Sequence, residues 1–189
     1  MNYKAVIFDL DGVICTTDQY HYKAWKQMAD SIGVYFDEQI NNRLRGVSRM
    51  ESLNIILEKS DRHYSEEEKE QLAREKNEIY KELLKQMSVA DLSEEVKKTL
   101  EELKRQGYML AIGSSSKNAK FILKQLGLET FFYAVSDGTN ISKSKPDPEV
   151  FIKAAEMLGM KTVECLVVED AKAGILAAQQ EYRLNRLEK

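Results

Sequence analysis

Four short runs of β-branched, aromatic and small apolar residues constrain the fold of this chain more than anything else in it: Lys4–Leu10, Tyr108–Gly113, Phe132–Ser136 and Glu164–Val168. The first, stopped abruptly by Asp11-Gly12, reads as a strand buried on both faces of a parallel sheet, and the other three look similar. Helical patterns separate those three. In Ser93–Gln106 the residues Val96, Leu100 and Leu103 share one face and Gly107 stops the helix; Asn118–Leu126 ends at Gly127 and Glu149–Leu158 at Gly159. Strand–helix alternation of this kind predicts a doubly wound α/β sheet.

The stretch between the first two strands has a different character. Asp18–Met87 holds no convincing strand, and both Ser48-Arg49-Met50-Glu51 and Ser65-Glu66-Glu67-Glu68 match the capping box, in which Ser and Glu satisfy orphan N–H groups. Tyr20, Ala24, Met28 and Ile32 recur at helical spacing. A crossover this long and wholly helical reads as an inserted bundle, not a connection. The chain therefore divides into a discontinuous α/β core, residues 1–17 and 89–189, and an all-helical cap, residues 18–88. Linkers near Cys15–Thr17 and Ser88–Leu92 form a natural hinge between them.

Composition narrows the partners. At 189 residues, 43% hydrophobic and 31% charged, the sequence fits a soluble globular protein. A net charge of -3 gives no general basic field for nucleic acid, so any phosphate affinity must come from a few placed cations. Cys15 and Cys165 are far apart and lack metal-ligand spacing, which suits two reduced thiols. No signal peptide and no membrane-spanning run is visible. The expectation is a cytoplasmic monomer that meets neither nucleic acid nor membrane.

Polar residues come directly after the predicted strands. Asp9 and Asp11 end the first, Ser114-Ser115-Ser116-Lys117-Asn118 the second, and Glu169-Asp170 the fourth, while Lys145 lies in the loop Lys143–Pro148. In an open parallel sheet the carboxyl ends of the strands form one rim where ligands bind, so these groups should converge. Carboxylates crowded at one rim repel unless a cation sits among them, and oxygen ligands select a hard ion such as Mg2+. A hydroxyl, backbone N–H groups and the Lys145 ammonium suit a phosphoryl group with spread negative charge. One carboxylate is then placed to attack phosphorus and another, two residues along, to move a proton. An Asp-x-Asp pair alone is more often a turn, and Glu-Asp or a Ser-rich loop before a helix is more often a cap. Their joint placement at successive strand ends favours chemistry.

These residues resemble the haloacid dehalogenase superfamily of phosphotransferases: Asp9-Leu10-Asp11-Gly12, the Ser114 loop, Lys145-Pro146-Asp147-Pro148 and Glu169-Asp170 are similar to its four motifs, in order. Asp11–Ile14, Tyr20–Lys26, Arg45–Arg49, Lys76-Asn77 and Ser116–Asn118 resemble its β-phosphoglucomutase branch, from about Met1 to Gly174. The resemblance implies a doubly wound core with a helical cap inserted after the first motif. It also implies a reaction, interconversion of β-D-glucose 1-phosphate and D-glucose 6-phosphate through β-D-glucose 1,6-bisphosphate, with Mg2+ as cofactor.

By the same resemblance Asp9 forms the aspartyl phosphate and binds the metal, and Asp11 is the general acid/base and offers its backbone carbonyl to the ion. Asp170 and the neighbouring Glu169 complete the metal set. Ser114, with Ser115 beside it, and Lys145 hold the phosphate being transferred. Arg49, with Ser116, Lys117 and Asn118, grips the other phosphate, as a mutase requires and a phosphatase does not; a guanidinium forks onto phosphate bidentately. His21, Trp25, Leu44, Gly46, Val47, Ser48, Ser52 and Lys76 belong to the cap side that positions the sugar.

Two departures from the family pattern stand out. Cys15-Thr16-Thr17 puts Thr16 where an acid is common at the first linker. Beyond Gly174 the family would turn and add another core strand. Here the tail reads as helix, with Leu176, Gln180, Leu184 and Leu187 along one face, which leaves the strand ending at Val168 at an open edge. A sugar-phosphate phosphatase of the same superfamily, or an impaired homologue that only binds, are the alternatives this leaves open.

Overall fold

A computed structural model describes residues 3–44 and 47–187, the last seven as backbone alone. In chain order the strands are β1 (Ala5–Phe8), β2 (Met109–Gly113), β3 (Ala134–Ser136) and β4 (Cys165–Val168). The helices are α1 (Asp18–Ser31), α2 (Glu38–Asn42), α3 (Arg49–Leu57), α4 (Glu66–Leu84), α5 (Glu94–Arg105), α6 (Ala119–Gln125), α7 (Glu149–Met157) and α8 (Lys172–Leu187). The chain separates into two compact units, Met1–Thr16 with Met87–Lys189, and Thr17–Gln86.

The first unit is built on one parallel sheet in the order β3-β2-β1-β4. All of β1 is buried, as its unbroken apolar run requires. Period two then sorts its side chains. Ala5 and Ile7 join Ala111, Ala134 and the α7 residues Val150, Phe151, Ala154 and Ala155 in one cluster. On the opposite side the Phe8 ring meets Phe132, 6.4 Å between centroids. This is the α/β architecture the alternating pattern predicts.

Every strand is shorter than the run that announces it, because residues at the run's ends do other work. The chain leaves β1 at Asp9, and Leu10 O accepts bonds from Ile14 N (3.0 Å) and Cys15 N (3.1 Å), which folds the segment into a tight turn. Among the described residues β4 pairs with β1 alone, and its Leu166 is 40% exposed.

The expected stripe on the last helix is not the one it buries. Ala177 is fully buried, whereas Leu176 is 41% exposed and Gln180 is exposed too; the side chains of Leu184 and Leu187 lie outside the described residues. Ala177 packs into the apolar cluster that includes Ala5, Ile7 and the α7 alanines, and the spacing of large residues carries no hint of it. No described helix is long and apolar enough to cross a membrane.

The second unit is all helix. Trp25, Met28 and Ala29 of α1 pack with Val34, Phe36, Ile40, Leu44, Leu53, Ile56, Leu72 and Ala73 in a single apolar core. The two capping boxes differ. At Ser65 the hydroxyl accepts from Glu68 N (3.2 Å) and Ser65 N donates back to Glu68 Oε2 (2.8 Å), closing the reciprocal pair. At Ser48 the forward bond from Glu51 N forms (3.2 Å), and the return bond is not among those described.

Candidate active site

Parallel register aligns the strand ends. Phe8 lies beside both Ile112 and Val168, so the next residues along these strands, Asp9, Gly113 and Glu169, reach the rim side by side. The Asp9 backbone N–H still donates to Val168 O at 2.9 Å, extending the ladder by one bond and fixing the side chain beside β4. Asp9, Glu169 and Asp170 then offer carboxylate oxygens within 4.8 Å of one another.

Lys145 joins two of them. Its Nζ is 2.5 Å from Asp9 Oδ1 and 2.7 Å from Glu169 Oε2, with all three side chains at most 10% exposed. The ammonium also stands 4.8 Å from the Phe151 ring centroid, a cation–π contact that steadies it from α7. Burial, the largest influence, pushes the Asp9 carboxyl up to about 6; Lys145 pulls it down, and Glu169 pushes it up again. Glu169 Oε1 accepts from the backbone N–H groups of Asp170 (3.1 Å) and Ala171 (2.9 Å), just ahead of α8.

Two glycines make room for the acids. A Cβ on Gly12, where φ is +96°, would strike the Asp170 carboxylate, and one on Gly174 would strike the Glu169 carboxylate. Any side chain at either position therefore displaces a carboxylate, and at Gly12 it also strains the backbone. Asp11 stands apart from the three-carboxylate group and pairs by an isolated bridge with Cys15. The Cys15 thiol is pushed up to about 12, chiefly by burial and then by the charges of Asp11, Asp9 and Asp91, so it stays protonated and inert.

The loop after β2 curls on its own hydroxyls. Ser114, 3% exposed, donates its backbone N–H to Ser136 O (3.0 Å) and accepts at Oγ from Ser116 N (3.2 Å). Ser116 Oγ accepts from Asn118 N (3.1 Å), and Ser115 Oγ accepts from Lys145 N (3.3 Å). Asn118 stands at the N-cap of α6 but forms no side-chain cap there. Lys117 is exposed.

The helical unit holds its own charged cluster. Lys76 is 2% exposed, its Nζ 2.8 Å from His21 Nδ1 and 4.6 Å from the ring centroids of both Trp25 and Tyr80. His21 stacks on Tyr80 at 4.1 Å. Arg49, at the start of α3, donates from Nη2 to Asn77 Oδ1 at 2.9 Å. Burial, then Arg49, drops the Lys76 ammonium to about 7; burial, then Lys76 and Arg49, hold His21 well below its usual range.

That has a consequence for stability. The folded state releases the Lys76 proton near pH 7, the unfolded chain only near pH 10.5. Between those values the unfolded state binds more protons, so stability rises with pH. Lys76→Met removes the buried charge. Its stability advantage over the wild type in denaturant titrations is expected to shrink by up to about 1.4 kcal/mol per pH unit from pH 7 to 10. An advantage independent of pH would contradict the buried ammonium.

Among the residues singled out from sequence, Asp9, Lys145, Glu169, Asp170 and the Ser114–Asn118 loop are brought together at one rim. In the helical unit Trp25 and Leu44 belong to the apolar core, Ser52 is 4% exposed, Val47 is half-buried and Ser48 caps α3. Gly46 lies outside the described residues. Sequence reasoning passed over Tyr80, although its place four residues after Lys76 on α4 puts it on the same helix face, and over Phe151 beneath Lys145.

A model of the haloacid dehalogenase-like hydrolase family matches residues 3–180. The chain is 43% identical over 176 residues to a β-phosphoglucomutase of Bacillus subtilis, covering 92% of this chain and 78% of that protein. It is 32% identical to a phosphorylated carbohydrates phosphatase of Thermotoga maritima (93% and 80% covered). Among solved structures, a β-phosphoglucomutase of Clostridium difficile superposes with a TM-score of 0.85 at 39% identity, covering 95% of this chain and 81% of that one.

Proposed function

The chain belongs to the haloacid dehalogenase-like hydrolase family, and on that premise we propose that it interconverts β-D-glucose 1-phosphate and D-glucose 6-phosphate through β-D-glucose 1,6-bisphosphate. The observation that carries phosphoryl transfer is the buried carboxylate of Asp9 held by the Lys145 ammonium at a sheet rim. The 43% identity to a mutase, against 32% to a phosphatase, favours isomerisation.

Asp9, Glu169 and Asp170 make an all-oxygen donor set, to which the Asp11 carbonyl would add, and this fits Mg2+. Such an ion would neutralise phosphoryl oxygens and leave phosphorus open to attack. The protein's own groups do the rest. Asp9 attacks phosphorus, so that its bond to the sugar oxygen breaks as the bond to the carboxylate forms, and Asp11 gives a proton to the departing oxygen. Ser114 and Lys145 hold the transferred group. In the complementary half-reaction the 6-hydroxyl of an incoming β-D-glucose 1-phosphate loses its proton to Asp11 and takes the phosphoryl group from Asp9, which forms the 1,6-bisphosphate. Free thiols at Cys15 and Cys165 suit a reducing compartment, the cytoplasm.

A mutase must hold a bisphosphate in two opposite orientations and so needs a second cationic grip. In the helical unit Arg49 supplies such a cation, its guanidinium. Its partner Asn77 is neutral and orients the guanidinium fork without cancelling its charge. Arg49→Ala is expected to raise KM for the bisphosphate about 10–100-fold. It should also shift the products from glucose 6-phosphate towards free phosphate. Arg49→Lys should recover only part of the loss, because an ammonium cannot fork.

The deciding assay supplies β-glucose 1-phosphate, Mg2+ and a trace of glucose 1,6-bisphosphate. Glucose 6-phosphate formed without net phosphate release supports the mutase. Phosphate release in its place would replace it with the phosphatase reading that the 32% relative favours. No turnover by folded protein would leave a binding protein only.

A further inference from the structure

Lys145 stands on the loop between β3 and α7, and a residue remote from the reacting carboxylates shapes that loop. Glu149, in the first turn of α7, turns its carboxylate back onto the loop's opening. Both of its oxygens accept from Ser142 N at 3.0 Å, and Oε2 accepts from Ser142 Oγ (2.8 Å) and Lys143 N (2.7 Å). At the closing end Asp147 N donates to Ser144 O (3.1 Å) and Glu149 N to Asp147 Oδ1 (3.0 Å). Lys153, one turn along α7, pairs with Glu149 Oε1 at 3.3 Å and donates to the Asn140 carbonyl.

A first-turn acid ordinarily serves its own helix, by the dipole or by capping. Glu149 bonds instead to backbone six and seven residues earlier, which closes the segment 143–148 at its neck. Bonds to a charged acceptor are roughly twice as strong as neutral ones. The Ser142 backbone and hydroxyl, then Lys143, hold the Glu149 carboxyl down to about 2, so the bonds persist at any working pH. With the neck fixed, Lys145 meets Ser115 Oγ through its backbone and both rim acids through Nζ.

We propose that Glu149 is a positioning residue, stapling the 143–148 loop into the shape that delivers the Lys145 ammonium between Asp9 and Glu169. Its benefit to turnover rests on the phosphoryl transfer proposed above; its hold on Lys145 does not. A displacement of about 1 Å at a reacting centre costs on the order of 10²-fold in rate, so a loosened neck is felt at Asp9 without any lost contact there.

Lysine acylation followed by mass spectrometry reads the position directly. In the wild type Lys145, with its side chain 10% exposed, labels slowly, while exposed Lys97 labels fast. Glu149→Gln keeps the shape but turns an amide against N–H donors. Lys145 is expected to label about tenfold faster in this variant, with Lys76, 2% exposed, still protected. On the same protein kcat should fall about 10–100-fold with KM little changed.

Lys145 labelling that stays slow while Lys76 remains protected overturns the proposal. Should Glu149→Gln expose Lys76, Ser142→Ala decides on the same readouts, with labelling faster by about threefold expected for the loss of one donor. No acceleration there overturns it equally. A wild type that releases phosphate instead of isomerising sinks the mutase and leaves the labelling result standing, so the two failures are distinguishable.

Discussion

Asp9→Asn is expected to lower turnover by about four to six orders of magnitude, the usual cost of removing a covalent nucleophile. The folded protein should survive, since the amide fills the same space and can still accept a bond from Lys145. No neighbour can take over. Glu169 is tied by Lys145 and two backbone N–H groups, and Asp11 lies outside the three-carboxylate group. The check is twofold: steady-state turnover, and the phosphorylated protein seen by intact mass after brief exposure to a phosphoryl donor. Wild-type protein should show that species, and the variant should not. Retained turnover in Asp9→Asn would overturn the mechanism, whichever sugar phosphate proves to be the substrate.

That prediction depends on a rim largely legible in the sequence, and the reason is physical. A strand buried on both faces must be apolar throughout, so the first polar residue after it marks where the chain emerges. In a parallel sheet all such exits lie on one side. Asp9 and Ser114 are each that residue, and Glu169 follows the apolar run of β4 in the same way although that strand is less fully buried. Lys145 adjoins no strand end directly, and its loop Lys143–Pro148 and the motif Lys145-Pro146-Asp147-Pro148 both point to it. Neither pattern nor motif could reveal its bond to two carboxylates at once, because that depends on the loop neck formed by Glu149. The first turn of a helix looks the same in sequence whether its acid caps the helix or holds a distant loop.

Helical faces were read less well. The Leu176–Gln180 stripe on the last helix has the right spacing, yet the structure buries Ala177 and leaves Leu176 exposed. Spacing records the size of side chains, and close packing against a sheet selects small ones. In the helical unit Lys76, His21 and Trp25 belong by resemblance to the sugar-positioning set, whereas Tyr80, which stacks on His21 and faces the Lys76 ammonium, carries no mark in the sequence. Trp25 packs in the apolar core and also faces the ammonium.

Lys145→Ala is expected to lower kcat by about 10²–10³-fold, the range found when one preorganised donor is removed from a transition state. Its effect on the metal should have the opposite sign. Lys145 now neutralises Asp9 and Glu169, so its loss leaves three carboxylates within 4.8 Å with no internal cation among the described residues. Repulsion among them then favours any hard cation more strongly. The Mg2+ concentration for half-maximal activity should therefore fall while kcat falls. Lys145→Arg should not restore the rate, because a planar guanidinium cannot occupy the compact position over the Phe151 ring and meet both acids. A metal titration at saturating substrate separates the two roles. Were Lys145 a mere structural strut, its removal would loosen the carboxylates and raise the Mg2+ requirement together with the loss of rate. A rise would therefore assign Lys145 to the scaffold, and a fall would assign it to the reacting phosphoryl group.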